Sequence, residues 1–283
     1  MIHTSRQLKA LVRNISMGDS AKAQIIIRNY VMERFLECLS LSAYRNNLIL
    51  KGGTLISAMV GLDNRSTMDI DATVKNLPLS VESARKLVKE ITSFQIDDGM
   101  TFEIKSVTSI MEESDYARVR VMLDTALETM RTPLQIDFST GGVITPGEVS
   151  YSFKLMFENR SISILAYNLE TALAEKLESL ISRGTANTRM RDLYDIYALE
   201  SLQAYNIDKV VLRIAFANTC GKRGSAGIFA DADLILSEIR SSLEMQNLWK
   251  NYQRKFTYAN DVDWDNVMKS VKKLCNSAGL DIK

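Results

Sequence analysis

The chain has 283 residues, 46% hydrophobic and 24% charged with only 3 prolines, a balance that suits a globular protein with a substantial core and excludes a disordered one. Lysine and arginine number 35 against 34 acidic residues, so at a net charge of +1 any nucleic-acid surface has to be a local patch. The single histidine, His3, lies at the terminus, which leaves histidine-based zinc, triad or general-base chemistry almost no material.

Cys38, Cys220 and Cys275 are widely spaced with no CxxC and read as small buried hydrophobes, which fits a reducing compartment. The N-terminus has no apolar signal core, and no run approaches a membrane span. A cytoplasmic protein with no membrane partner is the expectation.

In chain order, Gln7 to Arg13 reads as a short basic helix that closes near Gly18. Asp19 or Ser20 caps a longer helix over 20–44. There Ile25, Ile26, Val31, Phe35, Leu36 and Leu39 recur at helical spacing, while Lys22, Arg28, Glu33 and Arg34 fall on other faces. Leu48-Ile49-Leu50 is a short strand, Gly52-Gly53 turns the chain, and Thr54 to Val60 is a short helix. Met68 to Val74 is a second strand, and Pro78 precedes a helix over 80–93. Phe102 to Val107, Ala117 to Leu123 and Leu134 to Phe138 alternate as strands. The last two, joined through a polar turn near Glu128, pair antiparallel, so the sheet is mixed.

From about residue 162 the period becomes helical, over Tyr167 to Ser182, Met190 to Leu202, 207–219, 229–240 and 261–277. The glycine-rich, basic stretch 219–227 reads as a connector between helices rather than a phosphate-contacting loop. The expected class is α+β: a mixed sheet with flanking helices over residues 1–160, followed by a helical domain over 161–283.

Chemistry concentrates at Lys51-Gly52-Gly53-Thr54 and Asp69-Ile70-Asp71. On a strand, Asp69 and Asp71 point the same way, while Met68, Ile70 and Ala72 make an apolar face. Two carboxylates held that close need a cation between them. The pattern recurs where Leu134, Ile136 and Phe138 alternate with Gln135, Asp137 and Ser139, so Asp137 on a neighbouring strand completes three hard oxygen ligands. Magnesium suits such a set, with manganese as the alternative ion. Gly52 and Gly53 let backbone approach a phosphate, and Thr54 adds a hydroxyl donor at the start of its helix.

Other residues read two ways. Lys176 borders the stripe of Leu169, Leu173, Leu177 and Leu180, from which it covers a seam, enters a cleft, or stays solvated beside Glu175 or Glu178. Asp192 and Asp195 share a helix face, which ordinary surface ion pairing also explains. Arg65 precedes the carboxylates and leans toward a phosphate or acceptor contact over a loop decoration. Arg118 and Arg120 point to one sheet face, as a nucleic-acid stripe or as an open strand. Tyr194 and Tyr197 read as core or seam residues rather than base-stacking platforms.

Lys51-Gly52-Gly53-Thr54 followed by Arg65-Ser66-Thr67-Met68-Asp69-Ile70-Asp71 resembles the first motif of the DNA polymerase beta-like nucleotidyltransferase superfamily. More closely it resembles the AbiEii/AbiGii toxin family of abortive-infection, type IV toxin–antitoxin systems. Gln135-Ile136-Asp137 looks like the strand of the third carboxylate. Tyr167-Asn168-Leu169-Glu170, Ala174-Glu175-Lys176-Leu177 and Arg189 to Tyr197 resemble the family's helical motifs, so the likeness spans about residues 45–200.

The resemblance implies a nucleotidyltransferase-type sheet and a magnesium-dependent transfer of a nucleoside monophosphate from a nucleoside triphosphate. It gives the metal to Asp69, Asp71 and Asp137, the phosphates to Gly52, Gly53, Thr54, Arg65 and Lys176, and the orienting of Lys176 or the acceptor to Asp192. It implies an RNA acceptor, the 3′ end of transfer RNA foremost, a role in antiviral defence, and a cognate antitoxin. Two other readings stay open: a transferase that modifies a protein hydroxyl, and a nucleotide- or RNA-binding module with little transfer activity.

Overall fold

The computed structural model describes residues 1–94, 96–110 and 117–282. The chain forms two compact units. The first takes Met1–Ala58, Ser66–Gly142 and Val149–Ala166, and the second Met59–Arg65, Val143–Glu148 and Tyr167–Lys283.

The first unit is built on a mixed sheet. Its strands are β1 (Leu48–Lys51), β2 (Asp69–Val74), β3 (Met100–Ser109), β4 (Arg118–Leu127), β5 (Met130–Ser139), β6 (Val149–Lys154) and β7 (Ser161–Ala166), in the spatial order β3-β4-β5-β2-β1-β7-β6. β2 runs parallel to β5, and β1 parallel to β7; the other pairs are antiparallel. The mixed sheet expected from the alternating segments is therefore present.

Alternation explains which side is packed. Ile70, Ala72 and Val74 on β2, Leu134, Ile136 and Phe138 on β5, and Val119, Val121 and Leu123 on β4 are all buried. Residues directly opposed across a ladder share a face, so these side chains form one apolar surface. Three helices belong with it: α1 (Ser5–Ser16), α2 (Ser20–Leu41) and α4 (Val81–Thr92). α2 packs on β5 and β7, and α4 on β3 and β4. Each fully buried aliphatic side chain of this layer contributes about 1.5–3 kcal/mol. The opposite face keeps the polar positions, Asp69, Asp71, Gln135 and Asp137 among them, partly exposed.

Two expectations give way here. Glu33 and Arg34 are not on an outer face of α2: both are buried, at 2% and 1% exposure. What covers them is the β6–β7 hairpin, which the periodicity had not marked as strand. Ile162, Ile164 and Ala166 are buried and alternate with Ser161 and Ser163, so residues 161–166 are strand rather than the start of the helical region. Glu33 accepts the Met156 N–H with both oxygens at 3.1 Å. Arg34 pairs with Glu37 at 2.9 Å and Glu158 at 3.2 Å, and Arg160 bridges Glu37 and Glu158. Burial pushes the Glu33 carboxyl up to about 7, against the Met156 N–H and Arg34, which lower it.

The second unit is helical. It holds α5 (Leu169–Arg183), α6 (Met190–Leu202), α7 (Lys209–Arg223), α8 (Ala232–Ser241), α9 (Leu243–Lys255) and α10 (Trp264–Ser277), with α5 against α6 and α7, and α10 against α6. The stretch expected as a glycine-rich connector is mostly helix: α7 absorbs Gly221 and stops at Gly224, which caps it in the left-handed region at φ +68°. α9 was not foreseen either. Its buried residues, Met245, Trp249 and Tyr252, follow helical spacing amid charged neighbours, and Ser242 caps it by accepting from the Met245 N–H. Cys38, Cys220 and Cys275 are free and buried, as small hydrophobes are. Among the described residues no helix is long and apolar enough to cross a membrane.

Arg34→Ala would leave Glu37 and Glu158 with Arg160, but would strand the buried Asp98, whose carboxylate lies 3.9 Å from the Arg34 guanidinium. We expect a loss of about 3–5 kcal/mol, the scale for breaking a buried pair by removing one partner, read as a lowered urea midpoint at unchanged slope.

Candidate active site

Four strands meet at one rung on the polar face of the sheet. Lys51 on β1 stands opposite Asp71 on β2, Asp71 opposite Asp137 on β5, and Asp137 opposite Arg120 on β4. The row therefore reads cation, anion, anion, cation. Asp69, two residues before Asp71 and on the same face, stands opposite Gln135. Three of the sequence-predicted residues, Asp69, Asp71 and Asp137, are thus brought to one patch of sheet.

The glycine turn serves this patch in an unexpected way. The helix α3 (Gly52–Val60) starts at Gly52 itself, which has φ +65°. A Cβ on Gly52 would lie 2.2 Å from the Asp71 Oδ2 and 2.8 Å from its Cβ and Cγ. Gly52 is thus required twice, by its backbone angle and by the carboxylate pressed against it. The Gly53 N–H donates to Asp71. The anion at the N-terminus of α3 is therefore the protein's own carboxylate, which takes up the donor expected for a phosphate.

Thr54 also departs from its expected role. It is 2% exposed, and its hydroxyl donates to the Asp69 backbone carbonyl at 2.6 Å. A buried hydroxyl spends its proton on the nearest acceptor, and here that bond ties α3 to the first residue of β2. The Asp69 side chain in turn accepts from the Thr67 hydroxyl at 2.9 Å.

Electrostatics single out Asp71. Burial, and then the charge of Asp69, push its carboxyl up to about 6; Lys51 pulls it down, Asp137 pushes it up further, and the Gly53 N–H pulls it down. Asp137 is differently placed. Arg120 donates to both of its oxygens, Nε to Oδ1 at 2.8 Å and Nη2 to Oδ2 at 2.7 Å, and Gln135 donates to Oδ2 at 3.2 Å. Arg120 thus belongs to the carboxylate patch rather than to an open basic stripe.

Does this patch fit a divalent metal? Among the described residues, no three His, Cys, Asp or Glu side chains are arranged to hold one. The donor chemistry of Asp69 and Asp71 does fit: both are hard oxygen ligands on one strand face, and Asp71 is a crowded carboxylate that a cation would relieve. Asp137 is the exception, because a guanidinium already neutralises it.

In the second unit a separate cluster gathers around Asp195. Arg65 Nε meets its Oδ1 at 2.6 Å and Lys176 Nζ its Oδ2 at 2.7 Å; Lys176 also meets Asp192 Oδ1 at 2.8 Å. Burial disfavours the charge of Lys176, but Asp192 and Asp195 outweigh it and hold the ammonium well above its ordinary range. Burial likewise opposes the charge of Asp195, and Lys176 and Arg65 outweigh it to keep that carboxyl low.

Arg65, expected at a phosphate or acceptor, is instead 1% exposed and committed to Asp195. Asp195 is no surface pair but a fully buried hub. The signal for it was present: Asp195 lies between Tyr194 and Ile196, both core residues, in the middle of a helix. Tyr194 is buried, donates to the Asn64 carbonyl at 2.5 Å and packs with Trp249, Tyr252 and Tyr258, as a core residue does.

Residues 34–270 match the family described as nucleotidyl transferase AbiEii toxin, type IV TA system. Among solved structures, a candidate nucleotidyltransferase from Helicobacter pylori is similar over 90% of this chain and 96% of its own, at a TM-score of 0.50 and 15% identity, a likeness of fold alone. The protein JHP933 from Helicobacter pylori aligns over 90% of this chain and 94% of its own (TM-score 0.48, 14% identity). An antigenic nucleotidyltransferase-like protein from Paracoccidioides brasiliensis aligns over 99% and 95% (TM-score 0.37, 12% identity). No curated protein matches the chain.

Gly52→Ala should destabilise by about 1–3 kcal/mol in thermal or urea unfolding, from the left-handed backbone angle and the displaced Asp71 together. Asp71 also predicts a pH dependence. The folded carboxyl keeps its proton up to about pH 6, whereas the unfolded one loses it near its ordinary value of about 4. The folded state holds more protons between these values, so the contribution of Asp71 to stability falls as pH rises through that window. In EDTA, Asp71→Asn should therefore gain on the wild type from pH 4 to pH 7 in urea midpoints. A difference that does not vary with pH would contradict this.

Proposed function

Because the chain belongs to the AbiEii family of nucleotidyl transferase toxins of type IV toxin–antitoxin systems, we propose that it transfers a nucleoside monophosphate to the 3′ end of an RNA, transfer RNA foremost. In this reading the modification disables the RNA during phage infection, and a cognate antitoxin restrains it. The observation that carries the proposal is the rung on which Asp71 and Asp137 stand side by side, with Asp69 next to them on the same face.

The chemistry asks little covalent work of the protein. The acceptor hydroxyl oxygen bonds to the α-phosphorus of a nucleoside triphosphate, the bond from that phosphorus to the bridging oxygen breaks, and pyrophosphate leaves with the electron pair. Such a step depends on positioning and on stabilising charge, which suits a patch built from carboxylates without histidine or cysteine. Magnesium, with manganese as the alternative, is the ion proposed for Asp69 and Asp71, where it would supply charge neutralisation for the phosphates and the departing oxygen.

The protein's own groups do the rest. Thr54 and Thr67 fix Asp69, one through its backbone and the other through its side chain. Gly52 leaves the space that Asp71 occupies, and the Gly53 N–H orients that carboxylate. Asp137 is proposed to complete that ion site as its third carboxylate and to help take the proton of the attacking hydroxyl.

Purified protein incubated with each α-labelled triphosphate, magnesium and total RNA should label the RNA. Asp69→Asn should reduce the label by about a hundredfold or more, the scale for losing a charge-stabilising group, without shifting thermal unfolding. Label that migrates with protein would replace the RNA acceptor by a protein one, and no label with any triphosphate would overturn the transfer reading. Growth arrest on expression, relieved by the same substitution, tests the toxin role.

A further inference from the structure

The carboxylate row is closed at both ends by a cation, and the two ends differ. Lys51 stands beside Asp71, which still carries an uncomfortable charge, whereas Arg120 grips Asp137 by both oxygens. A guanidinium fork matched to a carboxylate is a strong, planar, bidentate contact, and it occupies the oxygens that an ion would need.

The pair is also placed to come apart. The side chains of Arg120 and Asp137 are 40% and 21% exposed, against 1% and 0% for the buried pair of Arg65 and Asp195. Exchange at the edge of water leaves neither charge stranded, whereas opening the Arg65–Asp195 pair would strand both. Asp69 and Asp71 lie within electrostatic reach of Arg120 as well, so its charge acts on the whole patch.

We propose that Arg120 is the resting counter-ion of this site: it competes with a divalent cation for Asp137 and has to release that carboxylate before Asp137 can join Asp69 and Asp71 around an ion. Arg120 is thus a positioning residue that sets how readily the site fills. This rests on reading the carboxylates as ion ligands, as in the proposed function. An ordinary cross-strand ion pair would stabilise the sheet in the same way, but it would not tune ion affinity.

Manganese binding to the nucleotide-free protein, followed by electron paramagnetic resonance, separates the two. Arg120→Gln should tighten binding by about tenfold, the scale on which groups around a ligand set tune it, and Arg120→Lys by less. Adding Asp137→Asn should erase the gain. Manganese affinity in Arg120→Gln equal to or weaker than the wild type overturns the proposal. If that variant does not fold, Arg120→Lys decides: tighter binding supports the proposal and unchanged binding overturns it. A wild type that labels RNA while these variants bind manganese as it does would sink this inference alone. Tightened binding in a protein that labels nothing would sink only the transfer reading.

Discussion

The first unit is organised by a single electrostatic constraint: two carboxylates stand next to each other at one rung of a sheet. Like charges at neighbouring strand positions are costly, and the sheet answers by extending the row on both sides. Lys51 from β1 and Arg120 from β4 close it, so four strands are tied by a pair of anions flanked by cations as well as by their ladders. Because directly opposed residues share a face, a one-residue slip of any of these strands would turn its charge into the apolar layer under α2 and α4. The polar row and the core layer thus specify the same register.

The turn before α3 shows how closely backbone and chemistry are joined. A glycine pair beside an acidic strand invites a phosphate explanation, since helix N-termini attract anions. In the fold the first anion they meet is Asp71, pressed against Gly52 and held by the Gly53 N–H. Thr54 reinforces the same junction through the Asp69 carbonyl. The motif's first task is therefore to position a carboxylate; its donors are engaged in doing so.

Each unit also carries buried charge. In the first, Arg34 lies among Glu37 and Glu158 beneath the β6–β7 hairpin; in the second, Asp195 lies between Arg65 and Lys176. Such clusters tolerate removal of a single member poorly, because what remains is an unpaired charge away from water. They pin specific elements together, α2 to the hairpin and the 59–65 segment to α5 and α6. The aromatic packing around Tyr194 adds to the second of these.

Period alone settled much of this protein. Alternation at 68–74 and 134–138 told which side chains share a face, and helical spacing found α2, α4, α6 and α10. The pairing of a DxD strand with a later acidic strand was legible for the same reason, because a period of two is a local property. What period could not decide was which partner each polar group meets. Glu33 and Arg34 look like solvent positions until a distant hairpin covers them; Arg65 looks like a phosphate ligand until Asp195, 130 residues on, claims it. Arg120 and Asp137 are 17 residues apart, and only the ladder between β4 and β5 makes them a bidentate pair. A sequence records the charges, but the cost of burying each one depends on neighbours that tertiary packing supplies, and that cost determines where its hydrogen bonds go.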